Sequence, residues 1–364
     1  MRSKPQFHGS DLELIEKYYG IPKDKIISFS SNVNPLGISP LFRESLIQNV
    51  NAVSAYPDRD YVSLRQAIGA YCGADCEKII VGSGATELIS SFIKSLLPRK
   101  AMLINPTYSE YSREILLNGG EIVSFALDPE KDFRLDPDEV LAQLDESFDL
   151  LILCNPNNPT GSAVRQESLS RLAEGCLEKN ILIMIDETYA EFAEDLDRIT
   201  AIPLTEKYDN LYVLRGVSKF FSAPGLRLGY SVTGNDALRA KISESKDPWS
   251  VNALAATAGA AMFRDTTYIE RAKDFAKTER ARLYSALQAL PNLRVYKPSA
   301  NFILMKILKK DVTSEMVFER AIKDGLMLRD CSSFPGLGND HIRFCFCLPE
   351  QNDRLIAKIR EMIS

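Results

Sequence analysis

The chain has 364 residues, 45% of them hydrophobic and 26% charged, with a formal net charge of −5 from 44 basic and 49 acidic residues. That is enough chain for two or three domains and a sizeable core, and the acidic balance argues against a nucleic-acid or anionic-membrane surface as main partner. No apolar stretch approaches the ~18 residues of a membrane span, and the basic start (Arg2, Lys4) leads into no apolar signal core; a cytoplasmic protein is expected. The seven cysteines are odd in number and scattered, and the only histidines are His8 and His341. Reduced thiols and no metal site are the expectation.

In chain order, residues 1–45 form a segment expected to pack with a small domain. Apolar runs follow at 79–81, 101–104, 150–154, 181–185, 211–214 and 228–232. Their continuous apolar character suits strands buried on both faces, and the spacers are long enough for crossover helices. Residues 46–250 therefore read as an α/β domain with a mostly parallel central sheet and helices on both faces. Beyond residue 250 the pattern changes. A long amphipathic helix is expected over 267–290, short strands at 293–296, 302–308 and 342–346, and helices at 314–324 and 351–362. This reads as a smaller α+β domain over 251–364.

The unusual residues collect where the strands end, which is where open α/β sheets bind ligands. After 150–154 comes Asn155-Pro156-Asn157-Asn158-Pro159-Thr160-Gly161; after 181–185, Asp186-Glu187-Thr188-Tyr189; after 211–214, Arg215-Gly216-Val217-Ser218-Lys219 and then Pro224-Gly225-Leu226-Arg227-Leu228-Gly229; after 79–81, Gly82-Ser83-Gly84-Ala85-Thr86-Glu87. Each has a plain structural reading as turn, cap or surface residue. Lys219 is the exception, because it lies between Val217 and Phe220-Phe221, an apolar setting that suits an amine of lowered pKa. Chemistry with pyridoxal phosphate needs an amine, a carboxylate for the pyridine nitrogen, donors to the ring hydroxyl, an aromatic face and a phosphate cup. Lys219, Asp186, Asn158 with Tyr189, Tyr108, and the loop Ser83, Gly84, Ala85, Thr86 can supply them. Such a loop before a helix offers backbone N–H groups to an anion.

With these elements in this order and spacing, the chain resembles the fold-type I pyridoxal-phosphate enzymes of the class I/II aminotransferase group over nearly its whole length. The resemblance implies that Lys219, Asp186 and Tyr189 are catalytic and that Arg227 and Ser218 join the glycine loop at the cofactor phosphate. Tyr56, in Tyr56-Pro57-Asp58, is similar to a tyrosine that reaches this phosphate from the partner subunit, which implies a homodimer with shared active sites. The sequence departs from the pattern at Gly216, where relatives often carry Ser or Thr as a phosphate ligand.

The group contains transaminases and a decarboxylase branch. Phe7-His8-Gly9, the stretch from Phe29 through Asn32 to Gly37, Trp249-Ser250-Val251-Asn252 and Phe334-Pro335-Gly336-Leu337 resemble the threonine-phosphate decarboxylases of cobamide biosynthesis, although Ser10 stands where that branch tends to have a second glycine. Histidinol-phosphate aminotransferases are the next resemblance. The implied substrate is a small phosphorylated amino acid, with Arg343 gripping an acidic end through its guanidinium fork and Arg329, Asn32, Asn158, Gly37 and His8 as further contacts. An inactive binding module of the same fold is disfavoured, because Lys219, Asp186, Asn158 and Tyr189 are all present.

Overall fold

The computed structural model describes Phe7 and residues 9–363. The first strand is short: β1 (Ile27–Ser28) follows the helix Leu12–Tyr19. A seven-stranded sheet comes next, formed by β2 (Ile79–Gly82), β3 (Lys100–Asn105), β4 (Glu121–Ala126), β5 (Leu150–Cys154), β6 (Leu182–Asp186), β7 (Leu211–Gly216) and β8 (Gly229–Val232). Its order is β2-β8-β7-β6-β5-β3-β4. The pairs from β7 across to β4 are parallel, whereas β8 runs antiparallel to both β7 and β2. Every residue of β2, β5, β7 and β8 is buried, so both faces of the sheet are covered, as the continuous apolar runs require. The helices Ala85–Leu96, Ser109–Leu117 and Gln166–Leu177 supply part of that cover with Leu88, Phe92, Ile115, Leu169 and Leu172.

The strand expectations differ from the observed ranges by at most two residues at either end, which is ordinary for boundaries. One strand of the central sheet was not anticipated. β4 is an edge strand with exposed residues at both ends, so it lacks the apolar run that marks its neighbours.

The C-terminal part builds a second sheet. After the 23-residue helix Thr266–Gln288 come β9 (Leu293–Val295), β10 (Phe302–Ile307), β11 (Leu326–Met327), β12 (Arg329–Asp330) and β13 (His341–Cys345). Four of them form an antiparallel sheet of order β12-β13-β10-β9. β11 instead pairs in parallel with β1 through Ile27↔Leu326 and Ser28↔Met327, and Phe7 and Ile15 pack against Phe318, Ile322 and Met327. The beginning of the chain is thereby held against its end. The backbone after β1 continues the contact, since Cys345 N–H donates to Phe29 O at 2.8 Å.

Candidate active site

A cavity of about 800 Å³ opens where β5, β6 and β7 end, and it extends to the small sheet. Its floor depends on a row of glycines. Gly82, Gly229 and Gly216 stand side by side across β2, β8 and β7. A methyl on Gly229 would come within 2.9 Å of Ala85 N, and one on Gly82 within 2.8 Å of Leu88. Bare backbone at these positions lets the first turn of helix Ala85–Leu96 settle onto the strand ends. Ala85 and Thr86, which begin that helix, line the cavity, where the free N–H groups and the positive end of the helix dipole favour an anion. Gly84 has φ +82° and an added Cβ would lie 2.3 Å from Arg227. The arginine lies across this glycine, donating to Ser83 O at 3.3 Å and to Pro224 O at 3.2 Å. Ser83 and Gly84 are thus behind the cavity wall, while Ala85, Thr86, Ser218 and Arg227 are on it.

Asp186 ends β6 and is 4% exposed. Burial raises its pKa, and hydrogen bonds from Thr188 and Tyr111 work against that rise. Tyr111 O–H donates at 2.6 Å to one carboxylate oxygen, and Thr188 N–H (2.9 Å) and O–H (2.5 Å) donate to the other. Tyr108, one helical turn before Tyr111, is on the cavity wall and meets the Tyr111 ring edge-on at 5.6 Å. Burial pushes the Tyr108 phenol up to about 12. Sequence reasoning missed Tyr111 and Thr188. The i, i+3 spacing of Tyr108 and Tyr111 was the available signal.

Lys219 extends from the loop after β7. Its Nζ donates to Ser31 O at 2.6 Å. Burial and then the positive charge of Arg343 lower its pKa to about 8. Tyr189, whose phenol is raised by burial, accepts from Asn32 Nδ2 at 3.2 Å. Asn32 has the left-handed φ of 56° and is held by Asn301, which donates to its carbonyl at 3.0 Å. Its side-chain oxygen is buried with no partner among the described residues.

The small sheet contributes two arginines. Arg329 of β12 and Arg343 of β13 are register partners and both line the cavity. Arg343 donates to Asn158 Oδ1 and, at 3.1 Å, to Ser30 O, and it lies 5.1 Å from the Phe302 ring centroid. Arg329 donates to Phe7 O and, at 3.0 Å, to Ser333 Oγ. All four acceptors are neutral. Like charges opposite one another on a sheet repel, so this pair is arranged for an anion.

Not every expected residue is at the cavity. Gly37 is outside it, its carbonyl accepting from Tyr268 O–H at 2.7 Å. Tyr56 is 81% exposed and packs on Trp249 with ring centroids 4.9 Å apart, away from this chain's own cavity. His8 falls outside the described residues. Its neighbour Gly9 lines the cavity, and a Cβ there would meet Ser30 O at 2.2 Å; only glycine lets the chain pass so close.

The cavity fits pyridoxal phosphate. A lowered amine, a buried carboxylate held by three donors, and an anion cup at Ala85, Thr86 and Arg227 converge on it. Lys219, Asp186, Asn158, Tyr189, Tyr108, Ala85, Thr86, Ser218 and Arg227 are the residues that would hold the group. Gly216, also on the wall, offers no hydroxyl to the cup.

Known proteins give the same picture. The sequence pattern of the family "Aminotransferase class I and II" matches residues 24–359. The threonine-phosphate decarboxylase of Salmonella typhimurium is 34% identical over 98% of this chain and 96% of that protein. Histidinol-phosphate aminotransferase 2 of Archaeoglobus fulgidus is 35% identical over 94% of each chain. The crystal structure of the histidinol-phosphate aminotransferase from Clostridium acetobutylicum superposes with a TM-score of 0.86 at 30% identity, covering 92% of this chain and 98% of that one. The chain belongs to the class I and II aminotransferase family, and it is a pyridoxal-phosphate-dependent enzyme of fold type I.

Proposed function

We propose that the enzyme decarboxylates L-threonine O-3-phosphate to (R)-1-amino-2-propanol phosphate, a step of cobamide biosynthesis. The observation that carries this reading is the pair Arg329–Arg343, two guanidinium groups in register on the wall that also holds Lys219. A substrate with a phosphate at one end and a carboxylate near the other matches two such forks. The Salmonella relative bears the name of this activity.

Bound pyridoxal phosphate supplies the electron sink for breaking a bond at the substrate's Cα. Lys219 holds the cofactor and moves the proton at Cα. Its lowered pKa leaves a useful fraction of free amine near neutral pH. Asp186 would keep the cofactor's ring nitrogen protonated, with Tyr111 and Thr188 fixing its two oxygens. Asn158 and Tyr189 would orient the ring, and Tyr108 would cover its face. The arginine pair, with Asn32, Asn158 and His8, sets which Cα substituent is presented for cleavage. Loss of CO2 is followed by proton return to Cα.

The decisive test incubates the holoenzyme with threonine phosphate and no keto acid. Release of CO2 with formation of aminopropanol phosphate is expected. CO2 at background, with amine transfer from histidinol phosphate to 2-oxoglutarate, would establish the second reading, an aminotransferase, which the Archaeoglobus and Clostridium relatives favour.

The working enzyme is a cytoplasmic homodimer in this reading. Exposed Ile47, Val50, Val53, Tyr56 and Trp249 form an apolar surface that a second copy covers, carrying Tyr56 toward the partner's phosphate cup. The chain divides into a cofactor-binding part, 46–250, and a small part made of 1–45 with 251–364. Mixing a Lys219→Ala chain with a Tyr56→Phe chain tests sharing, because only a shared site regains activity on mixing.

A further inference from the structure

Behind the cavity, on neither of its walls, lies a buried charge cluster that none of the roles above uses. Glu187 follows Asp186 at the end of β6, and Arg215 precedes Gly216 at the end of β7. Their side chains are 0% and 3% exposed. Arg215 donates twice to Glu187 Oε2, from Nε at 2.9 Å and from a terminal nitrogen at 2.7 Å. The same terminal nitrogen donates to Thr200 Oγ1 at 2.8 Å, and Thr200 O–H donates to Glu187 Oε2 at 2.8 Å. Ala201 N–H occupies the other carboxylate oxygen at 2.5 Å. The backbone closes the unit, since Glu187 N–H donates to Leu214 O at 2.8 Å.

We propose that Glu187 and Arg215 are positioning residues that fix the separation of Asp186 from Lys219. Asp186 is one residue from Glu187, and Lys219 is four residues beyond Arg215. Each of the two groups flanking the cofactor therefore hangs from one half of a rigid, buried ion pair. Such a pair is costly to desolvate and rarely retained for stability alone. Its value here is geometric: a two-pronged contact with three further hydrogen bonds leaves little freedom to slide β6 against β7. Tyr230, Glu191 and Tyr71 also interact electrostatically with the charge of Arg215.

The proposal rests on the cofactor roles given to Lys219 and Asp186. That dependence is tested separately: borohydride treatment of the parent holoenzyme, followed by peptide mapping, must place the cofactor on Lys219. The positioning role is tested with Glu187→Gln, Arg215→Met and the double variant, all as holoenzymes. Each single variant strands a buried charge and is expected to melt at lower temperature. The double variant removes both charges and is expected to recover most of that loss. Its cofactor dissociation constant should still rise about tenfold, on the order of one misaligned charge-assisted hydrogen bond. The pH midpoint of the cofactor's absorbance change should also move by about one unit. A double variant with parental cofactor affinity and midpoint would overturn the proposal and leave the pair a matter of folding alone. Should it fail to recover stability, Arg215→Lys, which keeps the charge and loses the fork, must show the same displaced midpoint in a folded protein; a parental midpoint there also overturns it.

Discussion

Arg343 is hydrogen-bonded to Asn158, which joins the small antiparallel sheet to the loop after β5. One guanidinium therefore has two duties: it holds a proposed cofactor residue in place, and it lines the cavity. Its buried Nε has no partner among the described residues.

Arg343→Lys should show this arrangement in steady-state kinetics. Lysine keeps the charge but cannot span Asn158, Ser30 and a substrate oxygen together. KM for threonine phosphate is expected to rise about 30-fold or more, corresponding to roughly 2 kcal/mol or more for a broken charge-assisted contact. An unchanged KM would remove Arg343 from substrate binding.

The amine of Lys219 has a calculable effect on stability. Its folded pKa of about 8 is below the ordinary 10.5, through burial and the charge of Arg343. Below pH 8 the folded protein holds a largely buried ammonium, a cost of at most about 3 kcal/mol. The cost fades as pH rises from 8 toward 10.5. Cofactor-free Lys219→Met protein should accordingly melt above the cofactor-free parent at neutral pH, with the gap closing as the pH is raised. A gap independent of pH would contradict a lowered amine.

Glu191 gives the opposite case. Its carboxyl is 1% exposed with one oxygen unpartnered among the described residues, and burial pushes its pKa up to about 7, against the pull of Arg215. The folded state retains the proton longer than the unfolded chain, whose value is near 4.5. Stability from this group is full below pH 4.5 and is lost as pH rises to 7, by on the order of 3 kcal/mol. Glu191→Gln should leave melting near pH 5 almost unchanged and raise it at pH 8. Equal melting curves at both values would show that Glu191 ionises normally.

The cup offers a paired test. A Cβ on Gly216 would make only ordinary contact, 3.4 Å from the Ala85 methyl, so Gly216→Ser fits and adds a hydroxyl to the wall. Cofactor dissociation is expected to tighten several-fold, about 1 kcal/mol for one new hydrogen bond. Gly84→Ala must displace Arg227 and strain a backbone at φ +82°, and about tenfold weaker cofactor binding is expected. Dialysis against a competing carbonyl reagent, monitored by absorbance, measures both.

Most of the central sheet was legible because strands buried on two faces leave apolar runs that periodicity detects. β4 was not, since an edge strand exposes Glu121 and Ala126. Nor were β1, β11 and β12, whose two residues each are defined by distant partners rather than local pattern. The reversed direction of β8 carries no periodic signature. Among site residues, Lys219, Asp186 and Asn158 were readable from spacing at strand ends. Tyr111 and the Glu187–Arg215 pair were not given roles, because what they do depends on which side chains meet across elements. Tyr56 packs on Trp249 and is absent from its own chain's cavity wall, so its proposed role depends on the proposed homodimer.

The reversed strand has a consequence for how the site is wired. Because β8 returns beside β7, with Val217 N–H bonded to Leu228 O at 3.2 Å, Lys219 and Arg227 sit on one loop with both feet clamped in the sheet. In the proposed roles of these two residues, cofactor attachment and charge neutralisation share a single short tether. Moving the chain ends into this loop by circular permutation would leave every strand in place, yet it would let the amine and the guanidinium drift independently.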